Sequence, residues 1–170
     1  MSAVLKLWNS LSREDAAKEI LHCCGSKAWA DGMAAQRPFS DVTTLLAASD
    51  KTWGNLTAAD RMAAFRSHPR IGETRPLQSA SVKSQTWSAQ EQKNVAEADG
   101  DLKLAMAKAN QEYEQRFGHI FIVCATGKTV PEILEMLMRR LQNDEHTELR
   151  EAAEQQRQIT RIRLTKWLSA

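Results

Sequence analysis

Apolar positions recur along most of this chain at helical spacing, and the polar residues between them supply start and stop signals. Ser12, with Asp15 three residues on, opens the first such segment, and Gly25 follows its end. A serine and a carboxylate at that spacing satisfy unbonded helix amides, and a glycine closes the far end in a left-handed conformation. Ser26 to Gln36 forms a second, short segment stopped before Pro38, and Ser40 to Trp53 a third carrying Val42, Leu45 and Leu46. Thr57 with Asp60 opens the next, in which Met62 and Phe65 lead to His68 and a stop at Pro69.

Residues 70 to 87 then read as the longest irregular stretch, with Pro76 among many Ser, Thr and Gln. A loop of that length within a compact domain is usually functional or disordered. The pattern predicts that helix resumes at Ser88, breaks near Asp99-Gly100 and runs again through Tyr113 to Phe117-Gly118. Thr129-Val130-Pro131-Glu132 opens an apolar helix with Ile133, Leu134, Met136, Leu137, Met138 and Leu141, read as a central core helix. A last helix covers roughly Glu145 to Leu168. Ile120-Phe121-Ile122-Val123-Cys124-Ala125 is rich in β-branched residues, yet no second segment offers it a strand partner. We therefore expect an extended or irregular buried connection there. The fold class is all-α: one domain over 1–170, a compact bundle of about eight or more helices.

Phase along the last helix adds a chemical signal. At about 100° per residue, Leu149, Ala152, Ile159, Ile162 and Trp167 gather on one face, and Arg163 falls near its centre. Arg150, Arg157 and Arg161 fall on the opposite, solvent side. An inward guanidinium needs an anion, because desolvating it alone is costly. One reading is an ion pair with an internal carboxylate. The other is a substrate carboxylate held by the bidentate fork.

Composition changes this picture little. The net charge of +2, from 23 basic and 21 acidic residues, is too small and dispersed for a nucleic-acid surface. No apolar run nears the roughly 18 residues of a membrane span, and we expect neither a secretory leader nor a peroxisomal address. Cys23, Cys24 and Cys124 have no disulfide-framework spacing. His22 beside Cys23-Cys24 lacks further ligands at usable spacing, so no metal site is expected. These cysteines read as small buried residues of a cytoplasmic protein.

His68, followed by Pro69-Arg70-Ile71-Gly72, is the titratable group in the most informative setting. An imidazole at a helix C-terminus serves the helix dipole and caps carbonyls; it is also suited to acid/base work near neutral pH. Ser88-x-x-Glu91 is a capping box on its face, and a helix N-terminus is equally a ready site for an anion. Taken one at a time, neither feature separates structure from catalysis.

Their order along the chain does. His-Pro-Arg-Ile-Gly at 68–72, Ser-x-x-Glu-Gln at 88–92, Tyr-x-x-x-Phe-Gly-His-Ile-Phe-Ile-Val at 113–123 and Arg-Ile-Arg-Leu at 161–164 together resemble the 2-oxo-4-hydroxy-4-carboxy-5-ureidoimidazoline (OHCU) decarboxylases of urate degradation. The resemblance implies a compact all-α homodimer that works without metal or organic cofactor and binds OHCU. It implies that His68 is the catalytic acid/base and Glu91 its partner at the substrate. Ser88 and Gln92 are the implied hydrogen-bonding neighbours, Ala89 and Gln90 are implied to bind substrate beside them, and Pro69 and the backbone of Phe121, Ile122, Val123, Cys124 and Ala125 line it. Arg163 rather than Arg161 matches the family arginine, in agreement with the helical phase. After Glu91-Gln92, animal members tend to have small, glycine-containing sequence, where this chain reads Lys93-Asn94-Val95.

Two other readings use the same residues. A cofactor-free hydrolase of a neighbouring ureide would employ His68 as general base toward water. A helical interaction module would use His68 and Glu91 as caps alone and pair Arg163 with an internal carboxylate.

Overall fold

The computed structural model describes residues 2–73 and 81–169. Among them lie helices α1 (Ala3–Ser10), α2 (Arg13–Cys24), α3 (Lys27–Ala35), α4 (Val42–Gly54), α5 (Ala58–Arg66), α6 (Val82–Glu91), α7 (Lys93–Ala96), α8 (Gly100–Phe117), α9 (Val130–Arg140) and α10 (Glu145–Leu168). The described residues include no strand, so the fold is all-α. None of these helices is long and apolar enough to cross a membrane.

The chain divides into two compact units, Met1–Ala64 with Arg157–Ala170, and Phe65–Gln156. In the first unit α2 packs on α3, α3 on α4 and α1 on α2. Each start is set locally: Ser2, Ser12, Ser26 and Asp41 accept from the amides of Leu5, Asp15, Trp29 and Thr44. The Thr44 amide in turn holds the Asp41 carboxyl below the usual carboxylate range. Trp8 is buried among aromatic rings, stacked on Phe39 at 6.1 Å and edge-on to Trp167 at 5.6 Å, and its indole N–H donates to the Ala16 carbonyl at 2.9 Å. Helix α1 gave no signal in the sequence. Eight residues show too little of a period to read, and such a short helix persists through burial of Leu5 and Trp8 rather than through its own propensity.

In the second unit α8 packs on α9, and the core between them gathers Met106, Ala109 and Tyr113 of α8 with Val130, Ile133 and Leu137 of α9. Asp99 caps α8 and Gly118 closes it with φ 72°, as the sequence predicted. Thr129 and Glu132 form a reciprocal capping box at the start of α9. That helix is amphipathic, not buried all round as a central core helix would be: Ile133 and Leu137 are fully buried, whereas Met138 is 49% exposed.

Helix α6 departs from expectation. It begins at Val82, capped by the Ser81 side chain, so Ser88 lies in its last turn and is no N-cap. The Ser88 carbonyl accepts from the Gln92 amide at 3.1 Å, as a helix-end carbonyl does. The reason is legible afterwards: the buried positions of α6 are Ser84 and Ser88, one helical turn apart. A helix whose inward face is serine gives no apolar period. The irregular stretch expected over 70–87 is thus helical from Val82 onward, and residues 74–80 lie outside the described residues.

Candidate active site

Helix α5 ends at Arg66, and His68 sits in the turn beyond it, its amide donating to the Phe65 carbonyl at 3.2 Å. Pro69 follows, half-buried, where helix cannot continue. The imidazole is 8% exposed, and its Nε2–H donates to Oε1 of the fully buried Gln156, on α10, at 2.7 Å. The chain beyond His68 is then pinned. The Ile71 carbonyl accepts from Asn110 of α8 at 2.9 Å, and the Gly72 amide donates to Gln92 Oε1 at 3.0 Å. Gly72 has φ 88°, a backbone that side chains other than glycine rarely adopt. The Arg70 guanidinium forks onto the Glu114 carboxylate, Nη2 to Oε2 at 2.9 Å, which raises its pKa further.

Gln92 therefore ties the loop of His68 to the end of α6, where Glu91 stands half-buried and Ser88 buried. Ala89 and Gln90, between them, are exposed.

Phe121, Ile122, Val123, Cys124 and Ala125 are all buried and belong to no helix or strand, the irregular buried connection expected from sequence. Buried backbone needs partners for its amides and carbonyls, and here side chains provide them. Arg140 Nη1 donates to the Ile122 carbonyl at 2.7 Å, Lys128 Nζ to the Cys124 carbonyl at 2.7 Å, and the Cys124 amide to Gln155 Oε1 at 2.9 Å. Arg140 is itself fully buried and paired with fully buried Glu148, Nη2 to Oε1 at 2.5 Å. The Tyr113 hydroxyl also donates to Glu148, and burial pushes that phenol well up. The Phe121 ring lies 4.5 Å from the Arg140 guanidinium and 5.3 Å from Tyr113, so its side chain belongs to this cluster.

His68 is thus a buried imidazole with one nitrogen fixed, Glu91 stands at the end of the helix that Gln92 ties to its loop, and the buried segment 121–125 is held by side chains. A family model described as OHCU decarboxylase matches residues 9–165, which takes in every one of these segments. The chain belongs to the OHCU decarboxylase family.

Relatives bear this out at moderate identity. The uric acid degradation bifunctional protein TTL of Arabidopsis thaliana is 34% identical over 148 residues, 86% of this chain and 45% of that protein. The 2-oxo-4-hydroxy-4-carboxy-5-ureidoimidazoline decarboxylase of Mus musculus is 29% identical, covering 80% of this chain and 76% of its own length. Beside the bifunctional relatives, including that of Bacillus subtilis at 26% of its length, this chain spans less than half. A crystal structure of OHCU decarboxylase in the presence of (S)-allantoin superposes with a TM-score of 0.74 at 30% identity, covering 89% of this chain and 98% of that one. A structure of (S)-allantoin synthase, 18% identical with a TM-score of 0.70, shares the fold.

Within this OHCU decarboxylase family chain, Arg163 lies in the first unit, 1% exposed, as the helical phase predicted. Its Nη1 is 3.4 Å from the His22 carbonyl, and its charge acts on the Cys24 thiol, which burial pushes up to about 12. All three cysteines are buried. Arg157 and Arg161, expected on the solvent side, are half-buried and share Asp50, at 3.1 and 2.6 Å. Among the described residues, no three His, Cys, Asp or Glu side chains cluster as a metal site would require. A cavity of about 280 Å³ lies behind the His68 loop, lined by Ile71, Gly72, Met106 and Asn110 among others, but not by His68 or Glu91.

Sequence reading missed Gln155, Gln156, Arg140 and Glu148. The two glutamines sit on a polar run, Glu154-Gln155-Gln156-Arg157-Gln158, in which nothing in the sequence distinguishes buried Gln156 and half-buried Gln155 from their neighbours.

Proposed function

We propose that this chain converts OHCU to (S)-allantoin, in urate degradation, as a carboxy-lyase that needs no metal or organic cofactor. The observation that carries the reading is the buried His68, its Nε2–H held by Gln156, in a chain 30% identical to an OHCU decarboxylase crystallised in the presence of (S)-allantoin. OHCU carries a carboxylate and a hydroxyl on the carbon beside a ring imine. When carbon dioxide leaves, the bonding pair forms a double bond to the ureido-bearing carbon, and the imine nitrogen takes the displaced pair and a proton. The hydroxyl then gives up its proton as the ring carbonyl forms, and the ureido-bearing carbon gains one. The substrate is thus its own electron sink, which a cofactor would otherwise supply.

His68 delivers the proton to one face of that carbon, which sets the (S) configuration. Glu91 hydrogen-bonds the hydroxyl or ureido edge, with Ser88, Ala89, Gln90 and Gln92 beside it. Pro69 and the backbone of 121–125 line the substrate, and Arg163 meets an anionic substituent. The chain works as a single domain, a reading supported by a family match that runs from residue 9 to residue 165. It acts as a homodimer, which rests on the family resemblance, in the cytoplasm, a reading that rests on its three unpaired cysteine positions in sequence.

His68→Ala and Glu91→Ala test the assignment. Each is expected to slow decarboxylation by about a hundredfold or more and, for His68→Ala, to give optically inactive product by polarimetry. Retention of full rate and stereochemistry in either would sink it.

A further inference from the structure

Two neighbouring side chains on α10 face two different parts of the site. Gln156 Oε1 accepts from His68 Nε2 at 2.7 Å, and Gln155 Oε1 accepts from the Cys124 amide at 2.9 Å. Gln156 has no exposed surface, and a buried amide in a helix core is costly unless it is bonded. We propose that Gln155 and Gln156 are the positioning residues of the site, Gln156 fixing the tautomer of His68 and Gln155 fixing the backbone that lines the substrate. This rests on the decarboxylase reading above.

The chemistry follows from what an amide oxygen can do. It accepts and never donates, so it selects the imidazole form with the proton on Nε2 and the lone pair on Nδ1. Histidines elsewhere gain their orientation and tautomer from the partner of the second nitrogen in the same way. A neutral amide does so without the charge of a carboxylate, which would favour the imidazolium. With Nε2 occupied, Nδ1 takes the proton of the substrate hydroxyl as the carbonyl forms, and returns it to the ureido-bearing carbon. One O–H bond breaks and one C–H bond forms, with the Nδ1–H bond made and broken between them, so His68 ends as it began.

Gln155 acts on the other half. Its acceptor fixes the Cys124 amide, while Arg140 and Lys128 fix the carbonyls of Ile122 and Cys124. Because the glutamines are adjacent on one helix, a single turn of α10 sets the acid/base group and the lining backbone in a fixed relation.

The test uses the full-length protein labelled with 15N-histidine, with turnover followed on OHCU freshly generated from urate. In the wild type, His68 is expected to be protonated on Nε2 and bare on Nδ1; a resting Nδ1-protonated imidazole overturns the proposal without any variant. Gln156→Met keeps the length and removes the acceptor. It is expected to give mixed tautomers and to lower kcat about tenfold or more, with KM within twofold. Gln155→Met is expected to raise KM severalfold and to leave the His68 tautomer unchanged. An unchanged tautomer and kcat in Gln156→Met would refute the role of Gln156, and an unchanged KM in Gln155→Met that of Gln155. If the wild type does not turn over OHCU, the decarboxylase reading fails, while the 15N spectra still decide whether Gln156 sets the tautomer.

Discussion

Arg140 and Glu148 bring a full positive and a full negative charge into the second unit with no exposed surface on either. Desolvating such a pair costs several kcal/mol per ion, and their attraction offsets this only with further hydrogen bonds. Those are present: Glu148 also accepts from Tyr113 and Asn143, and Arg140 donates to the Ile122 carbonyl. Glu148→Ala leaves the guanidinium buried without its carboxylate, and urea denaturation should show a loss of about 3–5 kcal/mol. Replacing both charges by apolar residues of similar volume should recover much of that stability but not the hold on Ile122.

Cys24 makes a second prediction at this scale. Burial pushes its thiol from 9.0 up to about 12, with the Ser26 amide, the Thr160 hydroxyl and the Arg163 charge acting weakly the other way. Between those values the unfolded chain loses a proton that the folded chain keeps. The unfolded state therefore binds fewer protons, and stability falls as pH rises above 9.0, by up to about 1.4 kcal/mol per pH unit. Urea melts at pH 8 and pH 10 check this, and Cys24→Ala should flatten the slope. Residues were legible in the sequence where helical phase alone decides their direction, as for Arg163. Arg140 was not, because its carboxylate lies eight residues on, past the end of its helix.

At the level of elements, helix boundaries written in side-chain caps could be read from sequence, and boundaries written in burial could not. Asp99, Thr129 and Gly118 act where their chemistry says they should. Helix α6 escapes the same logic because its inward residues are Ser84 and Ser88. Thr86, exposed and central in that helix, separates the two descriptions. Thr86→Pro should cost about 3 kcal/mol if the chain there is helical, whereas Thr86→Ala should be nearly neutral. A proline tolerated without loss in thermal or urea unfolding would return this stretch to a loop. The irregular buried segment 121–125 was legible for the opposite reason: its residues favour strand, and the sequence holds nothing for a strand to pair with.

For the whole molecule, the all-α class followed from the run of caps and periods, and the order of motifs pointed to the family that the match over residues 9–165 establishes. What the sequence left out is the scaffolding that gives those motifs their geometry. Gln155, Gln156 and the Arg140–Glu148 pair hold His68 and the buried segment 121–125 from residues that carry no motif. Their roles exist only once distant segments of the chain are folded together, so no local pattern announces them.

The most direct test of the central claim is the circular dichroism of the product. Protein treated with EDTA and freed of small molecules is mixed with OHCU generated in place from urate by urate oxidase and hydroxyisourate hydrolase. The account predicts that (S)-allantoin forms in excess and faster than OHCU decays by itself, with no added metal or cofactor. Racemic allantoin appearing at the spontaneous rate would contradict it.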